Sequence, residues 1–596
     1  MRPWIEGPSP VAVLFRLVWF CRLYCALCTA YAVAAMFALP IPLGLATRAF
    51  FDAVSGQPAG LNAWSAIALM VAIQVAELAA GPLLGNPWSP LQQKAHALLR
   101  RNLFAGILRG YGRHGLLASV GETISRFRDD PEVIADALDA LCDLVGRTLF
   151  AAAAAFVMWR INPTITAALF APLLLCAFVA EALGGRIMAY RAASRAATSR
   201  VTGFLGEVLG AHLALNVAGA VPHAVARLSE LGDARRRLAV RDSVFGQTLD
   251  ALDQNLAHLG AGLVLLLGAQ AIRDGTFTVG DFALFVVYLD QLKWFPDEIG
   301  RIITGLKRIE VCYARMRAVV PGEPPAALAA PAPVYLRGAP PEPPPPPPRE
   351  PLARLEVRGL TYHHPASGRG VEAVSFAVER GAFTVVTGRV GAGKTTLLGV
   401  LLGLLPRDGG TILWNGRPVE DPAAFFVPPR SAFTPQVPRL FSESLRENLR
   451  LGRPSDPAAM ERAVHAAVLE RDVAALGQGL DTLVGPRGVK LSGGQVQRAA
   501  AARMFLSEAE LLVFDDLSSA LDAETEAELW RRLFARGRGV TCLVVSHRPA
   551  ALRRAAQVLV LDEGRLVARG TLDELLADPA LVGTLADAAA ARVRAS

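Results

Sequence analysis

Long apolar runs alternate with arginine-rich polar stretches over the first half of the chain. A helix needs about 20 predominantly apolar residues to cross a bilayer. Six stretches before residue 305 meet that need, and they lie near 17–40, 62–85, 137–160, 164–188, 247–270 and 280–303. The pattern predicts a helical membrane domain with six spans.

Basic residues concentrate in two long connections, between the second and third spans and between the fourth and fifth. The other connections offer little more than Arg48 and Arg273. Basic residues close to spans collect on the cytoplasmic side, so both termini and both long connections are expected in the cytoplasm. The long connections keep helical spacing without a breaker. We expect helices that extend beyond the bilayer, each pair joined by a short helix at its tip.

A proline-rich segment follows, from Pro321 to Pro351, and it contains six consecutive prolines, Pro343 to Pro348. Such a run forms a stiff polyproline II spacer; a docking site for an SH3-type domain is the alternative. Beyond it, strand-like runs alternate with helical ones, which is the pattern of an α/β domain. The predicted domains are a transmembrane domain over 1–320, a linker over 321–352 and an α/β domain over 353–596.

The hydrophobic fraction, the net charge and the cysteine spacing each constrain this interpretation further. Hydrophobic residues make up 52% of the 596 residues, which fits a membrane protein. The net charge of +8 is explained by cytoplasmic connections, so no nucleic-acid partner is expected. The seven cysteines lack paired CxxC spacing, which argues against a disulfide framework or a zinc site.

The first motif that indicates nucleotide binding is a phosphate-binding loop. Gly388 to Thr395 reads GRVGAGKT and stands between a strand-like run and a helical one, the context that a P-loop requires. Inward-turned amides and a helix N-terminus bind phosphates. Lys394 should reach the β- and γ-phosphates of ATP, and the Thr395 hydroxyl should bind Mg²⁺. The expected nucleotide contacts are Gly388, Arg389, Val390, Gly391, Ala392, Gly393, Lys394, Thr395 and Thr396.

Two further motifs complete the pattern. Asp515 ends the apolar run Leu511 to Phe514, where an acidic residue provides a second Mg²⁺ contact. Leu491 to Gln495 reads LSGGQ, ahead of a helical stretch. With the six spans and the P-loop, this signature makes nearly the whole chain resemble an exporter-type half transporter of the ABC family. The resemblance implies ATP-driven export across a bacterial inner membrane by a dimer of half transporters.

The resemblance also implies roles for individual residues. Gln436 matches the Q-loop, which links Mg²⁺ and the attacking water to the membrane helices, and His547 matches the switch histidine at the γ-phosphate. The signature, which closes over ATP held by the opposite subunit, comprises Leu491, Ser492, Gly493, Gly494 and Gln495. The D-loop, which crosses the dimer interface, comprises Ser519, Ala520, Leu521 and Asp522.

Two positions depart from the family pattern. His364 stands where the family usually stacks a Tyr on adenine, with Tyr362 at the earlier aromatic position. Asp516 stands where the catalytic carboxylate is usually Glu. A carboxylate withdrawn by about 1 Å costs on the order of 100-fold in rate, so weak turnover is expected.

Asp516 leaves two interpretations open. In the first, Asp516 is the catalytic carboxylate of a slow ATPase. In the second, the chain is the degenerate, ATP-binding half of a heterodimer, whose intact LSGGQ completes the partner's site. The presence of His547 and Gln436 favours the first interpretation, because degenerate halves often lose the switch histidine.

Polar residues inside spans suggest a cargo path, since such residues are costly in lipid. Asp250, Asp253 and Gln254 share a helical face in the fifth span, and Asp290 and Lys293 stand one turn apart in the sixth. A hydrated, acidic path would favour a cationic or amphipathic cargo, such as a lipid, peptide or drug-like molecule. Pairing between helices, or a position near the membrane boundary, is the alternative.

Two other protein classes share parts of the pattern. DNA-repair ATPases carry LSGGQ but have long coiled coils and no spans, and importers usually keep their membrane and ATPase domains on separate chains. Six spans fused to an ATPase domain fit neither class.

Overall fold

The computed structural model describes residues 9–84, 87–114, 120–335, 345, 347–365, 367–486, 488–517, 521–535 and 539–578. The chain divides into two compact units. One comprises Met1–Ala105 and Ala118–Gly338, and the other comprises Gly106–Leu117 and Ala339–Ser596.

The N-terminal part of the chain is built of helices joined by short turns and loops. The helices are α1 (Pro10–Phe20), α2 (Arg22–Val33), α3 (Pro40–Val54), α4 (Ala63–Leu84), α5 (Trp88–His114), α6 (Val120–Arg128), α7 (Asp130–Ile161), α8 (Pro163–Gly210), α9 (His212–Val217), α10 (Val221–Arg273), α11 (Val279–Leu292) and α12 (Trp294–Arg317). A π-helical turn over Ala34–Ala38 joins α2 to α3.

The second to fifth predicted spans each fall on one helix, and the sixth falls on two. The first runs from the end of α1 through α2 and the π-helical turn to the start of α3. These positions confirm the helical membrane domain. Among the described residues, the stretches long and apolar enough to cross a membrane are Arg22–Val54, Ala63–Ala80 and Gly121–Ile161. The fourth and fifth predicted spans lie within α8 and α10. The side chains of 171–185 and 252–261 in those spans lie outside the described residues.

The second long connection has the predicted extended form. Helices α8 and α10 contain 48 and 53 residues. At about 1.5 Å per residue they are more than twice as long as the roughly 30 Å hydrocarbon core is thick. They pack side by side, with the rings of Tyr190 and Phe245 5.4 Å apart, and the short helix α9 joins them. In the first long connection, α6 follows α5 after the undescribed residues 115–119.

Two prolines interrupt the first and sixth predicted spans. Pro40 lacks an amide hydrogen, and its ring displaces the carbonyl four residues earlier. The π-helical turn before it absorbs this, with the Leu39 amide donating to the Ala34 carbonyl at 3.1 Å. In the sixth span, Pro296 lies in the first turn of α12, and the helix breaks at Lys293. The span predicted as continuous over 280–303 is therefore two helices.

Glycines bring the helices of this unit into backbone contact. A Cβ added to Gly146 of α7 would lie 2.5 Å from the Ala32 carbonyl oxygen of α2. Gly44 of α3 faces the ring of Tyr288 of α11 in the same way, and the Tyr288 hydroxyl donates to the Ile41 carbonyl at 2.8 Å. Small residues permit such close approach of membrane helices. The α2–α7 and α3–α11 pairs are therefore tightly packed.

The C-terminal unit contains two sheets. The strands are β1 (Arg354–His363), β2 (Gly370–Glu379), β3 (Phe383–Gly388), β4 (Gly409–Trp414), β5 (Arg417–Pro418), β6 (Ser431–Thr434), β7 (Leu511–Asp515), β8 (Thr541–Val545), β9 (Gln557–Asp562) and β10 (Arg565–Gly570). The first sheet has the order β2-β1-β4-β5 and is antiparallel. The second has the order β10-β9-β3-β8-β7-β6, and its strands β9 to β6 are parallel.

The helices of this unit cover the parallel strands. They are α13 (Lys394–Leu401), α14 (Pro422–Phe425), α15 (Leu445–Arg450), α16 (Pro457–Ala466), α17 (Glu470–Ala475), α18 (Gly493–Leu506), α19 (Ala523–Ala535), α20 (Pro549–Leu552) and α21 (Leu572–Leu576). Alternate residues of β7 enter different apolar cores: Phe514 packs with Trp530 of α19, whereas Val513 packs with Leu398 of α13. Burial on both faces explains why β3, β7 and β8 read as unbroken apolar runs. The α/β domain predicted from the sequence is confirmed.

The proline-rich segment is anchored at each of its ends. Its first residues pack within the helical unit, where the Asn102 amide donates to the carbonyls of Leu328 and Ala330 at 3.0 and 2.8 Å. Its last residues pack within the α/β unit, where Arg349 pairs with Glu510 at 2.8 Å. Half of the six-proline run, residues 343, 344 and 346, lies outside the described residues. Its stiff form stays a prediction.

Replacing Gly146 by Ala should destabilise the helical unit, because the added methyl group meets backbone that cannot move aside. Overpacking of this kind costs about 1–3 kcal/mol. Gly206→Ala on α8 is the matched control, since a Cβ there meets nothing within 4 Å and Ala favours the helix. Thermal unfolding in detergent should show a midpoint lowered by several degrees for Gly146→Ala only. Equal midpoints for the two variants would contradict the close packing of α2 on α7.

Candidate functional site

The candidate site lies at one edge of the parallel sheet. In the register of β3, β8 and β7, Val386 pairs with Val545, and Val545 pairs with Asp515. The three strands therefore end side by side. Ligands in open α/β sheets bind at the carboxyl ends of the strands, and each strand here leads directly into a segment with a predicted role.

The P-loop follows β3 and turns into α13. Its turn uses glycines at positive φ, 87° at Gly391 and 93° at Gly393, where other residues are strained. The Lys394 ammonium group donates to the carbonyls of Gly388 and Arg389 at 2.8 and 2.7 Å. Burial lowers the pKa of Lys394, and the nearby Asp515 and Asp516 carboxylates act in the opposite direction. The lysine therefore lies folded over the loop.

Two of the three expected Mg²⁺ ligands, Thr395 and Asp515, lie together beside the P-loop. The Thr395 hydroxyl donates to the Asp515 carboxylate at 3.3 Å, and Asp515 is buried. Burial raises the pKa of Asp515, although the Thr395 hydrogen bond opposes the shift. A hydroxyl and a carboxylate at the mouth of a phosphate loop are hard oxygen donors, which Mg²⁺ prefers. The residues present fit this ion.

Asp516 takes a backbone conformation that favours short polar side chains. Its φ is 51°, in the left-handed region where Asp and Asn are enriched, and its amide donates to the Val545 carbonyl at 3.0 Å. The Gln436 side-chain amide donates to the Asp516 carboxylate at 3.4 Å. The carboxylate and the predicted Q-loop glutamine are therefore in contact.

Gln497 is a residue that the sequence motifs missed. It is buried on α18, four residues after the first signature glycine, Gly493, and its amide donates to the backbone carbonyl of Gln436 at 3.4 Å. A side chain of the signature helix thus holds the Q-loop. The signal in the sequence is the second glutamine of LSGGQVQ, which the motif itself does not include.

His547 follows β8 at the same edge. Its Nδ1 lies 3.4 Å from the Thr387 hydroxyl at the end of β3. The next residue, Arg548, pairs with Glu526 of α19 at 2.9 Å and donates to the Leu521 carbonyl at 2.9 Å. Arg548 and Glu526 also escaped the motif reading. Together they join the switch histidine segment to the D-loop.

The D-loop is described only in part. Ser519 and Ala520 lie outside the described residues, and Leu521 is buried. Asp522 caps α19, since its carboxylate accepts from the amide and the hydroxyl of Thr525 at 2.8 Å each. A capping role explains this Asp structurally, in addition to the role implied by the resemblance.

His364 lies beside the helix that follows the P-loop. Its ring meets Tyr362 edge to face, with centroids 4.9 Å apart, and its Nε2 lies 3.5 Å from the Thr396 hydroxyl. Tyr362 is buried, whereas His364 is half-buried. Of the two rings, His364 is therefore the one that is accessible beside the P-loop helix.

The signature residues form a preorganised helix start. Ser492 accepts from the Gln495 amide at 3.3 Å, and the Gln495 side chain accepts from the Ser492 amide at 2.8 Å, which makes a capping box. Gln495 also donates to Asp472 at 3.0 Å. Leu491 and Gly494 are half-buried, while Ser492 and Gly493 are exposed. The first amides of α18 therefore face solvent.

Of the residues suggested for a cargo path, Asp290 and Lys293 have described side chains. They form an ion pair at 2.6 Å within one turn, and the Asp290 side chain is 62% exposed. The side chains of Asp250, Asp253 and Gln254 lie outside the described residues. Other residues line a cavity of about 820 Å³ in the helical unit, among them Gln92, Asp136, Asp139, Arg147, Arg191, Trp294, Glu298, Arg301 and Arg308.

One wall of the cavity corresponds to a charge pattern in the sequence that the motifs do not include. Glu132, Asp136, Asp139, Asp143 and Arg147 recur at intervals of three and four, so they share one face of α7. Charged residues at helical spacing next to a span often mark a polar path. The opposite wall comes from α12, about 160 residues later in the chain, and no local pattern links the two.

Family models and relatives agree with the architecture. The model of the ABC transporter transmembrane region matches residues 23–294, and the ABC transporter model matches 371–519. An ATP-dependent lipid A-core flippase of Xanthomonas campestris pv. campestris (strain 8004) is 30% identical over 463 residues, which cover 75% of this chain and 74% of that protein. The flippase of Burkholderia orbicola (strain AU 1054) is 30% identical over 384 residues, 64% of this chain and 62% of its own length.

A solved structure shares the fold over almost its whole length. A bacterial Atm1-family ABC exporter with ATP bound superimposes with a TM-score of 0.73 at 22% identity, covering 96% of this chain and 98% of that one. The fold, the P-loop, the signature and the relatives lead to the same conclusion. The chain belongs to the ABC transporter family, as an exporter-type half transporter that joins a transmembrane region to an ATPase domain.

Proposed function

We propose that this half transporter pairs with a second copy of itself in a bacterial inner membrane and exports an amphipathic lipid. The observation that supports ATP turnover is the grouping of Lys394, Thr395, Asp515, Asp516 and His547 at the ends of three paired strands. The cytoplasmic placement of both termini and of the ATPase domain rests on the arginine distribution.

The P-loop residues bind and orient ATP in this proposal. Lys394 exchanges its bonds to the Gly388 and Arg389 carbonyls for bonds to the β- and γ-phosphates. The loop amides and the N-terminus of α13 donate to the remaining phosphate oxygens. Thr395, Gln436 and Asp515 would hold Mg²⁺, which offsets the negative charge that accumulates in phosphoryl transfer. His364 lies against the adenine.

Asp516 and its neighbours carry the hydrolysis step. Asp516 accepts a proton from the attacking water, whose oxygen bonds to the γ-phosphorus as the bond to the ADP oxygen breaks. Gln436, in contact with Asp516, orients that water. His547 donates to a γ-phosphate oxygen. The contacts of Gln436 with Asp516 and of His547 with Thr387 support an active site rather than a degenerate one.

The exposed signature explains why two chains are needed. Half transporters of this class function as dimers, and each chain supplies one P-loop and one signature. The exposed N-terminus of α18 at Ser492 and Gly493 suits the γ-phosphate of ATP held by the other chain. The homodimer is the proposal, and a heterodimer with a second half transporter is the alternative that the first experiment below decides.

The cargo assignment rests on the relatives and on the cavity. The curated relatives are named as lipid A-core flippases. The cavity combines charged side chains with the ring of Trp294, which is 46% exposed. An amphiphile with a charged headgroup suits such a lining.

Turnover of Mg-ATP by the purified chain in lipid nanodiscs tests the catalytic proposal. Asp516→Asn should lower kcat by at least about 100-fold, because the general base is lost. Lys394→Ala should abolish turnover by removing the phosphate contact. Glu461→Gln, an exposed carboxylate on α16, should leave kcat unchanged. ATP binding without turnover above the Asp516→Asn level would instead identify a degenerate half that needs a different partner.

Lengthening the carboxylate tests whether its reach limits the rate. Asp516→Glu should raise kcat by about tenfold, since about 1 Å of misplacement costs on the order of 100-fold. The left-handed backbone costs Glu roughly 1 kcal/mol more than a relaxed conformation and offsets part of the gain. An unchanged or lower kcat would show that Asp516 already sits at the reactive distance.

Substitution of His364 tests base stacking. His364→Ala should weaken ATP binding about fivefold, since an aromatic contact contributes about 1 kcal/mol, and His364→Tyr should restore or improve it. His363→Ala is the matched control, because His363 is exposed and pairs with Asp408 at 3.6 Å. Calorimetric titration of the Asp516→Asn protein gives the dissociation constants. Identical affinities for all variants would place the base elsewhere.

A further inference from the structure

The cavity of the helical unit has two walls of opposite charge. The acidic wall consists of Asp136 and Asp139, one turn apart on α7. The basic wall consists of Arg301 and Arg308, two turns apart on α12. Both walls face the same space of about 820 Å³, a size that suits a headgroup or a small molecule.

No cationic side chain of the described residues directly contacts the acidic wall, although Arg301 and Arg308 lie within longer electrostatic range of Asp136, and Arg301 of Asp139. The Gln92 amide donates to Asp139 and, at 3.5 Å, to Asp136. The other Asp139 oxygen is buried and has no hydrogen-bond partner among the described residues. No basic side chain of the described residues forms an ion pair with either carboxylate. Two carboxylates held by one neutral amide favour a cation supplied from the cavity.

The basic wall carries an excess of positive charge. Glu298, which is 2% exposed, pairs with Arg147 at 3.3 Å and with Arg301 at 3.1 Å. Asp143 also lies within electrostatic range of Arg147 and Arg301. Two carboxylates therefore face three guanidinium groups, since Arg308 lies on the same wall. The Arg301 side chain is 54% exposed, and the second Glu298 oxygen is buried without a partner among the described residues. The wall thus offers donors to an anion and keeps one acceptor unused.

A ligand with a single charge satisfies only one wall. A purely anionic headgroup would satisfy Arg301 and Arg308 but would meet repulsion from Asp136 and Asp139. A purely cationic group would face the opposite mismatch. Like charges placed together in a cavity cost several kcal/mol, so the lining selects against both. A group with a cation and an anion a few bonds apart satisfies both walls.

We propose that the cavity binds a zwitterionic lipid headgroup, with a primary ammonium group on Asp136 and Asp139 and a phosphate on Arg301 and Arg308. The inference rests on the proposed lipid-export function and names the headgroup chemistry of its cargo. The ammonium donates hydrogen bonds to the two carboxylates, including the unpartnered Asp139 oxygen. The guanidinium groups donate to the phosphate, where Arg geometry permits paired contacts.

Lipid-stimulated ATPase of the full chain tests this headgroup. Nanodiscs of phosphatidylcholine, whose quaternary ammonium has no hydrogen to donate, receive increasing amounts of phosphatidylethanolamine or of phosphatidylglycerol with the same acyl chains. Phosphatidylethanolamine should stimulate turnover at the lower mole fraction. The double variant Asp136→Asn/Asp139→Asn should raise its half-maximal mole fraction about tenfold and leave that of phosphatidylglycerol unchanged or lower. Arg301→Gln should weaken the response to both lipids.

The controls separate this inference from the export proposal. Glu230→Gln removes an exposed carboxylate of α10 that pairs with Arg227 and should change neither response. Equal responses of the wild-type chain to the two lipids, unaffected by the Asn variants, would overturn the zwitterionic headgroup and leave lipid export intact. Turnover that no lipid stimulates would overturn lipid export itself.

Direct binding keeps the test decisive if the chain alone has no turnover. Equilibrium dialysis with short-chain phosphatidylethanolamine and phosphatidylglycerol compares the two headgroups without hydrolysis. The ethanolamine lipid should bind more tightly to the wild-type chain, and the Asn double variant should lose that preference. Loss of all lipid binding in the double variant, together with a lowered unfolding temperature, would show a structural role for the acidic wall and would overturn the proposal.

Discussion

Parallel hydrogen bonding between β3, β8 and β7 is the constraint on which the ATP site depends. The strands end in register, so that the P-loop, Asp515 with Asp516, and the segment of His547 leave the sheet side by side. A slip of one residue would turn every side chain of a strand to the other face. Because β3 and β7 are buried on both faces, that register is strongly specified. Apolar packing on both faces of the parallel sheet therefore fixes the positions of the polar site residues at the edge where the strands end.

The helical unit combines close approach of helices at glycines with a core of large apolar side chains. Gly146 and Gly44 let α7 and α11 approach α2 and α3 closely. Lipid gives apolar side chains little reason to associate, so packing and hydrogen bonds have to hold the helices. The hydrogen bond from Tyr288 to the Ile41 carbonyl, next to the π-helical turn, is one example. Polar side chains are then free to line the cavity.

The ATP site could be predicted from the sequence because its chemistry is written in short contiguous stretches. The P-loop, LSGGQ and the run that ends in Asp515 each combine local backbone geometry with local residue type. The links between them were not predictable in this way. Gln497 contacts Gln436 across about 60 residues, and Arg548 contacts Glu526, and each pair depends on how α18 and α19 pack. A motif identifies which residues carry functional side chains, whereas tertiary packing decides which of these side chains come into contact.

The cavity shows the same limit more strongly. Hydropathy located the spans, yet the residues it drew attention to in the sixth span, Asp290 and Lys293, pair with each other. The cavity instead uses charges near the ends of the third and sixth spans. A hydropathy pattern identifies a span by its majority of apolar residues. Charged residues at the ends of a span weaken that pattern. The breaks at Pro40 and Pro296 were visible as residues, but only the structure shows that one becomes a π-helical turn and the other a gap between helices.

The hydrogen bonds of Lys394 affect how nucleotide is exchanged in the proposed ATP cycle. Its ammonium group is already bonded to two carbonyls of its own loop, so the side chain is ordered before any phosphate arrives. Entry of ATP then replaces two existing hydrogen bonds and does not immobilise a free side chain. The entropic cost of ordering a lysine side chain, up to about 2 kcal/mol, therefore lowers the free energy gained on folding and not the free energy gained on binding ATP. When ADP and phosphate leave, the same carbonyls recapture the lysine, and the emptied loop keeps the shape that the next ATP requires.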